Sequence, residues 1–275
     1  MNVAAIADLE VVRVEGDPDE RFAAGSISKP VAALTALRLG LDLDADVNEQ
    51  LRSWRLPDAE GVTLRHLLGH TAGLGVPFCP GYPPGEELPK LVEVLEDVRL
   101  EQPPGSGFRY SGGGYVLVQL LVEDVTGKPF ADVAEELVLA PLGMAQSTFS
   151  PGSGHRYAEQ AAAGLTTTVA DIARFVIALQ QGVDGAAAML APHIELLAEG
   201  EWTVLRDLGV EPPARAGLGV FLSDGWFSHL GGAHDSFSAL WGSFDGRRGV
   251  VAQVSGSATP ELFQRLAAAT EGLAV

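Results

Sequence analysis

The chain predicts an α+β fold, an antiparallel β-sheet formed by N- and C-terminal strands flanked by helices, with a mainly helical inserted region. Three observations predict it. Strand-like runs open the chain, the middle is punctuated by helix starts and stops, and the last quarter returns to short strands joined by tight turns. Residues 1–25 and 205–275 are expected to form the sheet region and 26–204 the helical region, together one domain.

The first strand is read from Leu9-Glu-Val-Val-Arg-Val14, followed by a Gly-Asp-Pro-Asp turn at Gly16 to Asp19 and a short Arg21-Phe22-Ala23 strand. A helix follows at once, with Pro30 in its first turn, an Ala/Leu run from Val31 to Leu39 and Gly40 as its stop. Further helices are expected over Thr63 to Leu68, over Tyr115 to Val125 before Gly127, and over Phe130 to Leu139. Another begins at Thr168, whose side chain can cap it while Asp171 completes a capping box, and runs to about Gln181. Ala216 to Leu222, Ser238 to Ser243 and Gly249 to Val254 read as strands, with Asp245-Gly246 suited to a hairpin turn. Pro260 to Ala269 closes the chain as an amphipathic helix. A cleft between sheet and helices is the natural place for a site.

The 275 residues, 47% of them hydrophobic, suit an ordinary globular domain. Formal charge is −18 and the cations are scattered, which argues against nucleic acid as a partner. No apolar run is long enough for a bilayer, and the opening residues lack a basic, then apolar, secretory pattern, so no membrane is expected and the protein reads as cytoplasmic. Cys79, the single cysteine, excludes an internal disulfide and lacks the company of a metal or thiol-protease site.

The chemistry starts with Ser26-Ile27-Ser28-Lys29. Residues three apart share a helix face, so the Lys29 amine can reach the Ser26 hydroxyl and serve as its base. The backbone N–H of Ser26 would point, with the helix dipole, at a developing oxyanion. A bare Ser-x-x-Lys is weak, and its plain reading is a surface helix start.

Its company is more telling. Phe22-Ala-Ala-Gly-Ser-Ile-Ser-Lys-Pro30, Leu41-Asp-Leu-Asp-Ala-Asp-Val47, Thr63-Leu-Arg-His-Leu-Leu-Gly-His-Thr-Ala-Gly-Leu74, Pro104 to Tyr115, Pro141-Leu-Gly-Met144, Ala163 to Asp171 and Gly217-Leu-Gly219 stand in one order. In that order and spacing the chain resembles the serine β-lactamase and penicillin-binding protein superfamily, nearest its class C β-lactamase and family VIII carboxylesterase branch. The likeness covers about nine-tenths of the chain. It implies a β-lactamase/transpeptidase-like fold and three motifs: Ser26 and Lys29, then Tyr110 with Gly112 where the family has Tyr-x-Asn, then His229-Leu230-Gly231 where it has Lys-Thr-Gly or His-x-Gly. By carry-over Ser26 is the nucleophile, Lys29 and Tyr110 move its proton, Ser26 and Gly232 supply the oxyanion hole beside His229 and Gly231, and Gly112 borders the substrate pocket. Which of Lys29 and Tyr110 is the base stays open.

Two departures bear on the substrate. Gly112 has no side chain to hold an amide, and His229 and Leu230 replace an always-charged lysine and a hydroxyl-bearing threonine. A substrate carboxylate meets a weaker anchor, which moves weight from lactams and D-peptides toward esters. The resemblance therefore implies a serine hydrolase acting on a small-molecule ester or lactam/amide substrate, with no cofactor and no metal. A β-lactamase or D-amino-acid/DD-peptidase, an acyltransferase and a catalytically degenerate binding protein are the alternatives. About 25 residues precede the nucleophile, fewer than the family usually has, so its N-terminal helix and one strand are expected to be missing or compressed, leaving a sheet edge. The oligomeric state is not encoded in these motifs.

Other patterns read as structural. His66 and His70, four apart, have zinc-binding spacing but neither an adjacent Glu nor a third ligand. His234-Asp235 has no Gly-x-Ser-x-Gly elbow to serve. Gly112-Gly113-Gly114 before a helix is a slight phosphate signal, explained as well by close backbone approach. Trp54, Trp202, Trp226 and Trp241 are read mainly as core.

Overall fold

A computed structural model describes residues 1–75, 79, 81–149, 154–196, 212–256, 259, 261 and 264. The 204/205 boundary and Trp202 lie outside them, as does almost all of the closing helix expected over 260–269.

Among the described residues the large sheet has eight strands in the order β2-β1-β10-β9-β8-β7-β6-β5. These are β1 (Asn2–Ala7), β2 (Glu10–Glu15), β5 (Ile194–Glu195), β6 (Arg215–Ala216), β7 (Phe221–Ser223), β8 (Trp226–Gly232), β9 (Ser236–Ser243) and β10 (Arg248–Ser255). Every neighbouring pair is antiparallel. The two chain ends meet where Asn2 to Ala7 pair with Gln253 to Arg248, so the sheet is closed by the most distant contacts in the sequence. Val-, Ala- and Ile-rich β1 and β10 are buried, whereas β2, at the edge, is exposed along most of its length.

β1 has no strong sequence signal, because Asn-Val-Ala-Ala-Ile-Ala is poor in strand-favouring residues and is held by pairing on both sides. Its hairpin to β2 turns through Asp8 and Leu9, both at positive φ without a glycine to mark them. The strand expected at Arg21–Ala23 does form, as β3 (Phe22–Ala23), but outside the large sheet. It pairs with β4 (Thr166–Thr167) in a two-stranded ribbon.

The expected single strand over 216–222 is instead a hairpin. Gly217 N–H bonds Val220 C=O and Gly219 takes φ +81°, which folds β6 back onto β7. Lack of a β-carbon at Gly219 is required there, since one would stand 2.6 Å from the Ala33 methyl.

The helix Ser28–Arg38 runs through the middle of the molecule, with every residue from Ser28 to Ala36 buried. A helix buried on every side has to be central, and small Ala32, Ala33 and Ala36 let its neighbours approach. The helix Gly112–Thr126 packs beside it and ends at left-handed Gly127. The helix Val169–Gln180 covers β1, β9 and β10. Thr168 caps it by accepting the Asp171 N–H, but the Asp171 carboxylate does not complete a capping box. It turns away to accept from the Gln146 N–H and the buried Ser147 hydroxyl, each at 2.8 Å.

Candidate active site

The site is assembled at the rim of the sheet, where a turn of 3₁₀-helix over Gly25–Ile27 leads into the helix Ser28–Arg38. Gly25 takes φ +52°, and a β-carbon on it would stand 2.2 Å from the Gly232 carbonyl oxygen and 3.0 Å from the Gly232 nitrogen. Only glycine lets this turn lie so close to β8. Ser28 stitches the turn, donating to Gly25 C=O at 2.6 Å and accepting from Leu165 N–H at 2.9 Å. On the sheet side, the Ser236 and Ser238 hydroxyls donate to the carbonyls of Ala23 and Ala24. Ser26 is therefore carried on backbone fixed from both sides, with its own residue half-buried.

Lys29, 2% exposed, follows one helical turn later. Its Nζ donates to Ser26 Oγ at 3.0 Å and to the Ala162 carbonyl at 2.8 Å. Ala162 lies in a short helix (Gln160–Ala163) secured by Gln119, whose side chain accepts the Ala161 N–H and donates to Ala158 C=O. The amine is thus pinned by its own helix and by a second one.

Tyr110 brings its ring to 5.0 Å from Lys29 Nζ. It stands just before Ser111, the N-cap of the helix Gly112–Thr126, whose hydroxyl accepts Gly114 N–H and donates to Gly75 C=O. Gly112 is the buried first residue of that helix. Since the Ser111 side chain already takes a first-turn donor, the helix start is not an open phosphate cradle.

His229 and Gly231 lie on β8 beside the turn that carries Ser26, with Gly232 at the exposed end of the strand. The His229 ring is buried between Tyr110 and Phe221, at centroid distances of 6.3 and 5.2 Å. Its Nδ1–H donates to the Leu230 carbonyl at 2.7 Å. Burial, reinforced by the Lys29 charge, pushes its pKa down to about 3, so the imidazole is neutral at physiological pH.

The structure thus brings Ser26, Lys29, Tyr110, His229, Gly231 and Gly232 around one point. It separates the two histidines of the zinc-like spacing by role. His66 Nδ1 accepts Thr63 N–H in a capping box, while His70 Nδ1 accepts Ser111 N–H behind Tyr110. Among the described residues no three His, Cys, Asp or Glu side chains gather as a metal site. His234 stacks on His155 at 3.9 Å. Sequence reasoning missed the Ala162 carbonyl, which carries no side-chain signal, and Phe221, hidden in the misread strand.

An antiparallel sheet flanked by helices, with a serine and a lysine one turn apart at its rim, defines the architecture of β-lactamases and penicillin-binding proteins. The chain belongs to the Beta-lactamase family, whose model matches residues 1–273. It is 34% identical over 177 residues to esterase EstB of Burkholderia gladioli, an alignment covering 56% of this chain and 44% of that protein. It is 31% identical over 147 residues to penicillin-binding protein 4 of Amycolatopsis lactamdurans, covering 50% and 39%. These alignments take in less than half the length of either relative. Among solved structures, the β-lactamase/D-alanine carboxypeptidase of Yersinia pestis superposes with a TM-score of 0.78 at 18% identity, covering 99% of this chain and 91% of that one. At that identity the likeness concerns the fold.

Proposed function

We propose that the chain is a serine hydrolase that cleaves small carboxylic esters through an acyl-enzyme on Ser26. The observation that carries this reading is the 3.0 Å hydrogen bond between Lys29 Nζ and Ser26 Oγ on a backbone held rigid by glycines and serines. As Ser26 Oγ bonds to the ester carbonyl carbon, its proton passes to whichever of the Lys29 amine and the Tyr110 phenol stands deprotonated. The carbonyl electron pair moves onto oxygen, where the N–H groups of Ser26 and Gly232 stabilise it. Collapse breaks the bond to the alcohol, which leaves with the proton. Water then attacks the acyl-serine by the same route, releasing the acid and restoring Ser26.

The preference for uncharged esters rests on His229. Where a lysine would offer a permanent cation to a substrate carboxylate, this strand offers a buried neutral imidazole, on a chain of charge −18. Gly112 likewise contributes no amide-binding side chain. Both features favour esters over carboxylate-bearing lactams and D-peptides.

Intact-protein mass spectrometry tests this reading, after mixing wild type and Ser26→Ala with a short-chain p-nitrophenyl ester, a chromogenic cephalosporin and a fluorophosphonate. An adduct confined to wild type, with ester turnover and little cephalosporin turnover, supports it. Absence of any adduct on folded protein would point instead to a degenerate binding protein, and faster cephalosporin turnover to a β-lactamase.

A further inference from the structure

His70 contacts Tyr110 from three directions. Its backbone is left-handed, at φ +57°, a conformation disfavoured for a residue with a β-carbon and retained only where surroundings enforce it. In that conformation the His70 carbonyl accepts the Arg109 N–H at 2.8 Å, while its Nδ1 accepts the Ser111 N–H at 3.1 Å. These are the residues immediately before and after Tyr110. Between the two bonds, the imidazole lies against the Tyr110 ring, with centroids 4.4 Å apart and planes tilted by 31°. Its other side meets Tyr115 at 5.3 Å, whose hydroxyl is tied to the Leu68 carbonyl.

Each contact demands something different of the side chain. The Ser111 N–H is buried and needs an acceptor, so the proton of the imidazole must sit on Nε2. That Nε2–H finds no hydrogen-bond partner among the described residues, a cost that packing alone would not select. A phenylalanine would fill the space without an orphaned donor, but would leave the Ser111 N–H unmet. A glycine would relieve the strain, but would remove the ring that lies against Tyr110.

We infer that His70 is a positioning residue, which fixes the Tyr110 phenol relative to Ser26 and Lys29 by clamping the backbone on both sides of it and backing its ring. The inference rests on the acyl-serine reading above. The contacts of His70 run to Tyr110 and its neighbours, so it acts through Tyr110.

The test is a double-mutant cycle on p-nitrophenyl ester turnover. His70→Asn keeps a residue tolerant of the left-handed backbone and an oxygen near the Nδ1 position, but removes the ring. His70→Phe keeps a ring and removes the acceptor. Each is made alone and together with Tyr110→Phe. The expected result is a fall in kcat of about tenfold or more, with KM nearly unchanged, for either change alone. Combined with Tyr110→Phe, either change should cost less than about twofold further. Equal losses in both backgrounds, or losses carried by KM, would overturn the inference. Should His70→Phe not fold, His70→Asn decides the matter by itself. Wild-type turnover that survives Ser26→Ala would instead remove the acyl-serine reading, and this inference with it.

Discussion

Gly231 faces the Ala24 carbonyl so closely that a β-carbon at position 231 would stand 2.0 Å from its oxygen and 3.1 Å from the Ile27 nitrogen. The strand β8 and the turn that carries Ser26 therefore meet backbone to backbone. Gly231→Ala is expected to force them apart and to lower kcat on an ester on the order of a hundredfold, by spoiling alignment at the oxyanion. Steady-state kinetics on folded Gly231→Ala protein checks this; near-wild-type kcat would show that the close approach is dispensable.

The proton-transfer group should behave as a unit. Ser26→Ala is expected to abolish ester hydrolysis almost completely, and Lys29→Ala or Tyr110→Phe to cost on the order of a hundredfold or more in kcat. His229→Asn, altering a neutral neighbour, should stay within about tenfold. Full activity in Ser26→Ala would contradict the assignment of the nucleophile.

Acid should destabilise the protein through its buried histidines. Folded His229 titrates at about 3, against 6.5 when unfolded, so the unfolded chain binds the extra proton. Stability from this residue is fully present above about pH 6.5 and is lost as pH falls toward 3. Between pH 7 and 5.5 His229 alone should remove about 1 kcal/mol, with buried His70 pushing the same way. Urea titrations of wild type and His229→Gln at both pH values measure the difference. Parallel losses in the two proteins would mean that His229 is charged in the fold.

Asp171 gives a prediction on stability without chemistry. It is buried, accepts from Gln146 N–H and Ser147 Oγ, and pairs with Arg174 at 2.7 Å. Asp171→Ala removes the acceptor of the part-buried Gln146 N–H and one of two partners of the buried Ser147 hydroxyl, which keeps Thr167 Oγ1, and should cost about 2 kcal/mol, while the folded fraction keeps its kcat. Chemical denaturation and active-site titration of the same sample separate the two effects.

Much of this architecture is legible in the sequence because local signals and long-range order agree. Ser26 and Lys29 lie on a segment whose signals, Pro30 and Gly40, are plain, whereas the helix after Tyr110 is read from Tyr115 and begins at Gly112, and β8 with His229 is placed by its motif rather than by start and stop residues. β1 escapes a periodicity reading because its stability comes from pairing with residues some 250 positions away, which alanines do not announce. The β6–β7 hairpin escapes because Gly-Leu-Gly reads as a strand interruption only when the Ala33 methyl beneath it is known. His70 is visible as a letter in a recognisable stretch, but its task depends on Arg109 and Ser111, forty residues on, and on a backbone angle that no pattern encodes.

The edge strand β2 sets a colloidal limit. Among the described residues nothing pairs with its outer side, and Val11, Val12 and Val14 are 38%, 51% and 38% exposed along it. An open strand rich in valine is adhesive toward any other chain that can extend it. At neutral pH the surplus of 36 carboxylates over 18 cations keeps molecules apart by repulsion. Near the isoelectric point of about 4.6 that repulsion vanishes while the buried histidines are already loosening the fold. Samples brought to mildly acidic buffer will cloud before they unfold fully, and salt at neutral pH, by screening the same charge, will bring the two regimes closer together.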